Sequence, residues 1–100
     1  MPSNTTSRVF FYVYVLESAA DGDRYIGYTS NIKRRLEEHR NGKSFATKFR
    51  RPFKLIYFEG CLHSEDAKRR EKYLKTTQGR RFLGLRLTEH KRTTAFGSGS

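Results

Sequence analysis

VFFYVYVLESAADGDRYIGYT, residues 9–29, holds two runs of aromatic and β-branched residues separated by a polar break. Runs of that kind, bounded by turn residues, read as strands. The first covers 9–17 and is apolar enough to be largely buried; the second is RYIGYT, 24–29. Asp21-Gly22 is a turn signal, so the spacing predicts an antiparallel hairpin with a fairly long loop. Alternation along a strand puts Tyr12, Tyr14 and Leu16 on one face of the first run, and Tyr25 with Gly27 on one face of the second. Aromatic packing accounts for any one of the hairpin tyrosines, Tyr28 included. Gly27 is harder to place, because a glycine in mid-strand weakens pairing and often marks close approach by a ligand or another backbone.

The next segment, NIKRRLEEHR (31–40), predicts a helix capped by Ser30 or Asn31 and stopped by Asn41-Gly42. With Ile32 at the centre of its buried face, Leu36 lies ~40° to one side, Arg35 ~60° to the other and His39 only ~20° away. A guanidinium and an imidazole therefore share the inward stripe, where such groups seldom sit without a role.

After a basic loop ending at Pro52, FKLIYFEG (53–60) reads as a third strand. Ser64 is positioned to cap a second helix that ends near Thr76-Thr77, and Gln78 to about Glu89 forms a last helix packed through Phe82, Leu83, Leu85 and Leu87. The order is β-β-α-β-α-α, hence α+β: a small three-stranded antiparallel sheet flanked by helices. One domain over 9–90 is expected, with a flexible N-terminus (1–8) and a flexible tail (91–100) that is partly linker.

Twenty-one Lys and Arg against ten Asp and Glu leave a net charge of +11. An excess of that size suits a polyanionic partner, nucleic acid before an anionic membrane surface, although a merely solvated basic surface has the same composition. The single cysteine, Cys61, excludes an internal disulfide framework and any multi-cysteine zinc site, and fits a reducing, intracellular setting. No stretch approaches a membrane span, and MPSNTTSRVFF lacks the order of a secretion signal.

On the second helix, Glu71 lies ~40° from Ala67 at the edge of the apolar stripe, among cations that point elsewhere. It either forms a surface pair with Lys75 or Arg70, or serves as the oxygen ligand of a hydrated divalent ion. Phenols, a guanidinium, an imidazole and one carboxylate do not compose a glycosidase pair, a Ser/His/Asp triad or a phosphate-cradling glycine loop. They suit phosphodiester hydrolysis with one metal: a base for water, a cation for the phosphate and a Lewis acid.

YVY (12–14) and YIG (25–27), with eleven residues from Tyr14 to Tyr25, then Arg35, His39 and Glu71 in the A-x-x-x-E stretch of a helix, resemble the GIY-YIG nuclease superfamily and in particular its small stand-alone members. The resemblance runs from about Phe11 to Leu87. It implies a metal-dependent endonuclease cutting DNA, of the kind used in repair or recombination. Tyr25 would activate the attacking water with Tyr14 lining the site, Arg35 would bind the scissile phosphate, His39 would assist proton transfer or orient water, and Glu71 would hold one Mg²⁺ or Mn²⁺. A phenol is protonated at neutral pH, so a tyrosine base needs nearby cations or a proton relay, and activity is expected to rise toward alkaline pH. Tyr12 stands where the family name has its first glycine. Leu83 stands where many members carry an asparagine, whose role then passes to another group such as Gln78. A non-catalytic nucleic-acid-binding module on the same scaffold is the alternative.

Tyr12, Tyr28, Lys43, Lys48, Arg50, Arg51, Arg70 and Arg80 are the candidate nucleic-acid contacts, mostly to backbone phosphates, which position without specifying sequence. Phe45, Phe49 and Phe53, interleaved with Lys and Arg, are candidates to stack on exposed bases, Phe53 having core packing as its other role. No helix-turn-helix, zinc-finger or RNP pattern is present. DNA structure, or a protein partner or self-association, would therefore choose the target.

Overall fold

Strand β1 (Phe11–Ser18) is the middle of a three-stranded antiparallel sheet, between β2 (Arg24–Thr29) and β3 (Phe53–Cys61). The computed structural model describes residues 9–44 and 46–99, with the backbone path alone for Arg50 and 94–99. The expected flexible segment 1–8, Phe45 and the side chain of Arg50 lie outside the described residues. Four helices complete the order β-β-α-β-α-α-α: α1 (Ile32–Arg40), α2 (Ser64–Leu74), α3 (Thr77–Arg86) and α4 (Thr88–Gly99). A short 3₁₀ turn at Lys48–Arg50 lies on the loop before β3.

The hairpin register sets Tyr14 opposite Gly27 and Leu16 opposite Tyr25. Alternation then separates two faces. Val13, Val15 and Ile26 form the main core with Ala67, Leu74 and Leu83 from α2 and α3. Tyr14, Leu16, Tyr25 and Gly27 face the other way, toward α1. The sheet is thus sandwiched, with α2 and α3 on one side and α1 on the other. Burial of this apolar face, at about 25 cal/mol per Å² removed from water, is the main favourable contribution to the fold.

Asn31 caps α1, its side-chain oxygen accepting from Arg34 N at 3.1 Å, and the chain leaves through Asn41 and Gly42, whose φ of +75° suits glycine. At α2 the expected cap shifts by one: His63 is the flanking residue and Ser64 is already helical. The helix stops at Leu74 because Thr76 caps the next one, accepting from Gly79 N at 3.0 Å. The expected last helix is broken at Leu87 into α3 and α4, and the chain remains helical where a loose tail was expected from residue 91. His90 ties the first turn of α4 to the sheet, its Nε2 lying 2.9 Å from the buried Glu17 carboxylate. Leu83 is buried, but Leu85 is 74% exposed, against expectation. Two residues advance a helix by ~200°, so the two side chains point in opposite directions.

Candidate active site

The centre of the site is the phenol of Tyr14, wholly buried in the middle of the sheet. Its ring lies directly over Gly27 on β2, so closely that a Cβ at that position would overlap the end of the ring. The close approach implied by a mid-strand glycine is therefore made by the protein's own tyrosine. The Tyr14 hydroxyl meets two side chains of α1. Arg35 Nε donates to Tyr14 Oη at 3.2 Å, and Tyr14 Oη lies 2.9 Å from His39 Nε2. Arg35 and His39 are four residues apart, one helical turn, so both reach the same hydroxyl. Tyr25 completes the group from β2, half-buried, its ring centroid 6.2 Å from that of Tyr14 and 5.2 Å from that of His39.

His39 is the one fully buried residue of α1, at 2% exposure. Its second nitrogen, Nδ1, lies 2.7 Å from the hydroxyl of Thr47, which has no exposed surface. A neutral imidazole has one donor and one acceptor nitrogen. The chain Tyr14–His39–Thr47 can therefore run in either direction, and reversing the two hydroxyls moves the imidazole proton from one nitrogen to the other. Burial, reinforced by the Arg35 cation, holds the His39 pKa below its ordinary value, so the ring is neutral at pH 7. Burial also pushes the Tyr14 phenol up to about 12, against the opposing pull of its hydrogen bond from Arg35. Arg35 is fixed from its other end by Glu38, with Nη1 to Oε1 at 2.8 Å. That hydrogen bond is the main reason the Arg35 pKa is raised and the Glu38 pKa lowered.

Patterning singled out Arg35 and His39, the family resemblance added Tyr14 and Tyr25, and the structure brings all four together. A family model described as the GIY-YIG catalytic domain matches residues 10–86. The chain belongs to the GIY-YIG family. Membership places it in a nuclease superfamily, whose substrates are nucleic acids. The GIY-YIG domain is also 48% identical over 65 residues to a UPF0213 protein of Streptococcus pneumoniae serotype 4, covering 64% of this chain and 65% of that protein. It is 40% identical over 72 residues to a UPF0213 protein of Desulfotalea psychrophila, covering 70% and 64%. The chain thus spans just under two thirds of the length of these relatives. A solution NMR structure of a UPF0213 protein from Bacillus halodurans is 35% identical, with a TM-score of 0.47 over 74% of this chain and 81% of the other.

The fifth candidate, Glu71, does not join this cluster. It projects from α2, on the opposite face of the sheet, into an open groove shared with Tyr28, Glu65, Lys68 and Lys72. Lys75 Nζ lies 3.0 Å from Glu71 Oε2, so the i,i+4 pair foreseen from spacing is present. Among the described residues no group of three or more His, Cys, Asp or Glu side chains gathers around one point. The donor set still fits Mg²⁺ or Mn²⁺, since Mg²⁺ keeps several waters and commonly takes one or two carboxylates plus substrate phosphate. Glu71 supplies such a carboxylate in an accessible groove.

The basic candidates divide by what holds them. Lys43 and Arg80 are exposed. Arg70 turns inward on the GIY-YIG domain: it pairs with Glu59 at 3.0 Å and lies 4.5 Å from the centroid of Phe82. Arg51 is exposed but braced, donating to the carbonyls of Lys48 at 3.0 Å and Arg40 at 3.1 Å. Tyr12 packs edge-on against Phe58, and Tyr28 stacks on Phe11 with Lys68 Nζ 5.6 Å from its centroid. Leu83, in the position where many members carry asparagine, is core, and Gln78 is exposed.

Two functional contacts escaped the sequence. Thr47 looks like any threonine in a polar loop, and only the loop's return beneath α1 brings it to His39. Glu38 had a visible signal, three residues beyond Arg35 on the same helix, where an acid pairs with a base.

Proposed function

We propose that this GIY-YIG domain is a metal-dependent endonuclease that hydrolyses DNA phosphodiester bonds with a water activated through Tyr25. The observation that carries this reading is the Arg35 guanidinium, held in place by Tyr14 and Glu38 beside a half-buried phenol. A phosphate at Arg35 meets a fixed cation whose hydrogen-bond geometry is already arranged, the condition under which charge developing on phosphate oxygens is stabilised most. Tyr25 is the phenol of the pair that reaches solvent, and it takes the proton of the attacking water either as phenolate beside the Arg35 cation or by passing its own hydroxyl proton on as it accepts the new one. Tyr14, with its proton firmly held, is a link rather than a base. His39 has both nitrogens engaged within the protein, so it acts on water only through Tyr14, accepting or returning a proton along the chain that ends at Thr47.

Glu71 would hold Mg²⁺ or Mn²⁺, with water and the substrate phosphate completing the shell. A bound ion of this kind supplies Lewis-acid polarisation of the phosphate and neutralises charge on the leaving oxygen. β2 is an edge strand, so a DNA strand lying across that edge faces Arg35 on one side and Glu71 on the other. The action is intracellular, on DNA chosen by structure or by a protein partner or self-association rather than by sequence. No helix among the described residues is long and apolar enough to cross a membrane.

The Glu71–Lys75 pair and the separation of Glu71 from the Tyr14 cluster favour one second reading, a nucleic-acid-binding module without catalysis. Incubation of single-stranded, duplex and branched DNA with Mg²⁺, Mn²⁺ or a chelator separates the two. Nicking that appears with either ion and vanishes with the chelator supports the nuclease. Binding without nicking on every substrate supports the module.

A further inference from the structure

On the loop that follows α1, Phe49 is 81% exposed, the most exposed of the large apolar side chains among the described residues. A surface phenylalanine needs no explanation by itself. The setting of this one does. Lys48 Nζ lies 4.9 Å from its ring centroid, and Lys48 also lines an open groove of about 380 Å³ together with Arg40, Arg51, Pro52 and Phe53. Three cations and no carboxylate line that groove. The Arg51 guanidinium is not free to wander, since two backbone carbonyls brace it. An exposed aromatic ring thus adjoins a pre-ordered cationic pocket. Arg40 and Phe53 also line a smaller cleft that reaches His39, so the groove continues toward the catalytic cluster. From Arg35 to Arg40 the helix rises only ~7.5 Å.

We propose that this groove and Phe49 form a subsite for an unpaired nucleotide, with the base stacked on the Phe49 ring and the adjoining phosphate held by Arg40, Lys48 and Arg51. Stacking on an exposed aromatic beside a basic track is the physical mode of single-strand recognition, and a paired base offers no open face to such a ring. Resting on the nuclease reading, the subsite selects DNA with single-stranded character next to the scissile phosphate: a flap, a gap or a free single strand.

The chain has no tryptophan, so Phe49→Trp places a single reporter at the ring. Its emission is followed in chelator, where no metal-dependent cutting occurs, while an oligothymidine is added, and separately a blunt, fully paired duplex of two strands with the same number of phosphates. Binding of both is measured by anisotropy. The expected result is quenching by the single strand and none by the duplex. In Phe49→Ala the ratio of single-strand to duplex affinity falls about 5- to 150-fold, the equivalent of ~1–3 kcal/mol of stacking. Arg40→Ala lowers the salt slope of single-strand binding by about one. Bound single strand with unchanged emission, an unchanged ratio in Phe49→Ala, or no DNA binding at all would overturn the subsite. So would quenching by anionic lipid vesicles in place of DNA. Quenching by single strands without cleavage of any DNA in Mg²⁺ or Mn²⁺ keeps the subsite and rejects the nuclease, whereas cleavage without quenching does the reverse.

Discussion

Replacing Gly27 by alanine tests whether the second half of the family motif exists to make room for the first. An added Cβ would overlap the Cζ and Oη atoms of Tyr14. Tyr14 has no exposed surface, so its ring cannot swing into solvent; it must tilt and loosen its contacts to His39 at 2.9 Å and Arg35 at 3.2 Å. Overpacking costs ~1–3 kcal/mol, and leaving the buried His39 nitrogen without a partner costs ~1–3 kcal/mol more. Removing a strand glycine returns only ~0.5–1 kcal/mol. The sum is a loss of roughly 3 kcal/mol, a large part of the stability of a small domain. Tyr14→Leu deletes the atoms that clash, so in that background Gly27→Ala is expected to be neutral or slightly stabilising, a coupling of roughly 3 kcal/mol across the pair. Urea unfolding of the four proteins, followed by far-ultraviolet circular dichroism, measures the cycle. A Gly27→Ala protein within 0.5 kcal/mol of the parent, or strictly additive losses in the double variant, would refute the reasoning; this ~0.5 kcal/mol bound is the ordinary scatter of additivity.

The remaining expectations concern the hydrogen-bonded chain and its protons. Thr47→Val deletes the hydroxyl facing His39 Nδ1 and is expected to cost ~1–3 kcal/mol in urea unfolding, with Thr47→Ser recovering most of it; an unchanged midpoint in Thr47→Val would remove Thr47 from the account. His39 binds its proton less readily when folded than when unfolded, so this stability is fully present above the unfolded pKa near 6.5 and is lost as pH falls below it, at up to ~1.4 kcal/mol per pH unit. Arg35, Glu38, Tyr14 and Tyr25 are the titratable groups around the ring, and His39→Gln should flatten that acid limb. Tyr14 has the opposite sign: pushed from 10 up to about 12, it stabilises the fold below pH 10 and loses roughly 3 kcal/mol as pH rises through 12. Ultraviolet titration should show a phenol in that range that Tyr14→Phe removes. If Tyr25 takes the proton of water, the cleavage rate should climb between about pH 6 and 9, and a flat profile with chemistry rate-limiting counts against that role.

Much of this was legible because two periodicities are strong here. Alternation in residues 9–29 was enough for the hairpin, and β2 begins and ends where its sequence suggested. The helical period of residues 31–40 turned Arg35 and His39 inward, and His39 is indeed buried. What the sequence concealed depends on contacts between elements. Gly27 faces Tyr14 through strand register, which alternation does not specify. Thr47 and His39 meet through a loop with no periodic signal. The missed end of α2 and the break at Leu87 are local matters, decided by one threonine cap and by the non-helical backbone of Leu87, and Leu85 was placed in the core by its type although its angular position is outward. For Glu71 the periodicity was sound, but a face of a helix does not say which face of the sheet it will cover.

The nuclease reading stands or falls on Arg35 and Glu71 together. The direct measurement is the cleavage rate of single-stranded, duplex and branched DNA in Mg²⁺ or Mn²⁺ for the parent chain, Arg35→Ala and Glu71→Ala, with DNA affinity measured alongside. The expected result is metal-dependent cutting by the parent, a loss of about 10²–10³-fold in Arg35→Ala and abolition in Glu71→Ala, while DNA binding in chelator changes by less than about tenfold. Cutting that survives both substitutions, or a parent chain that binds every substrate and cuts none, would contradict it.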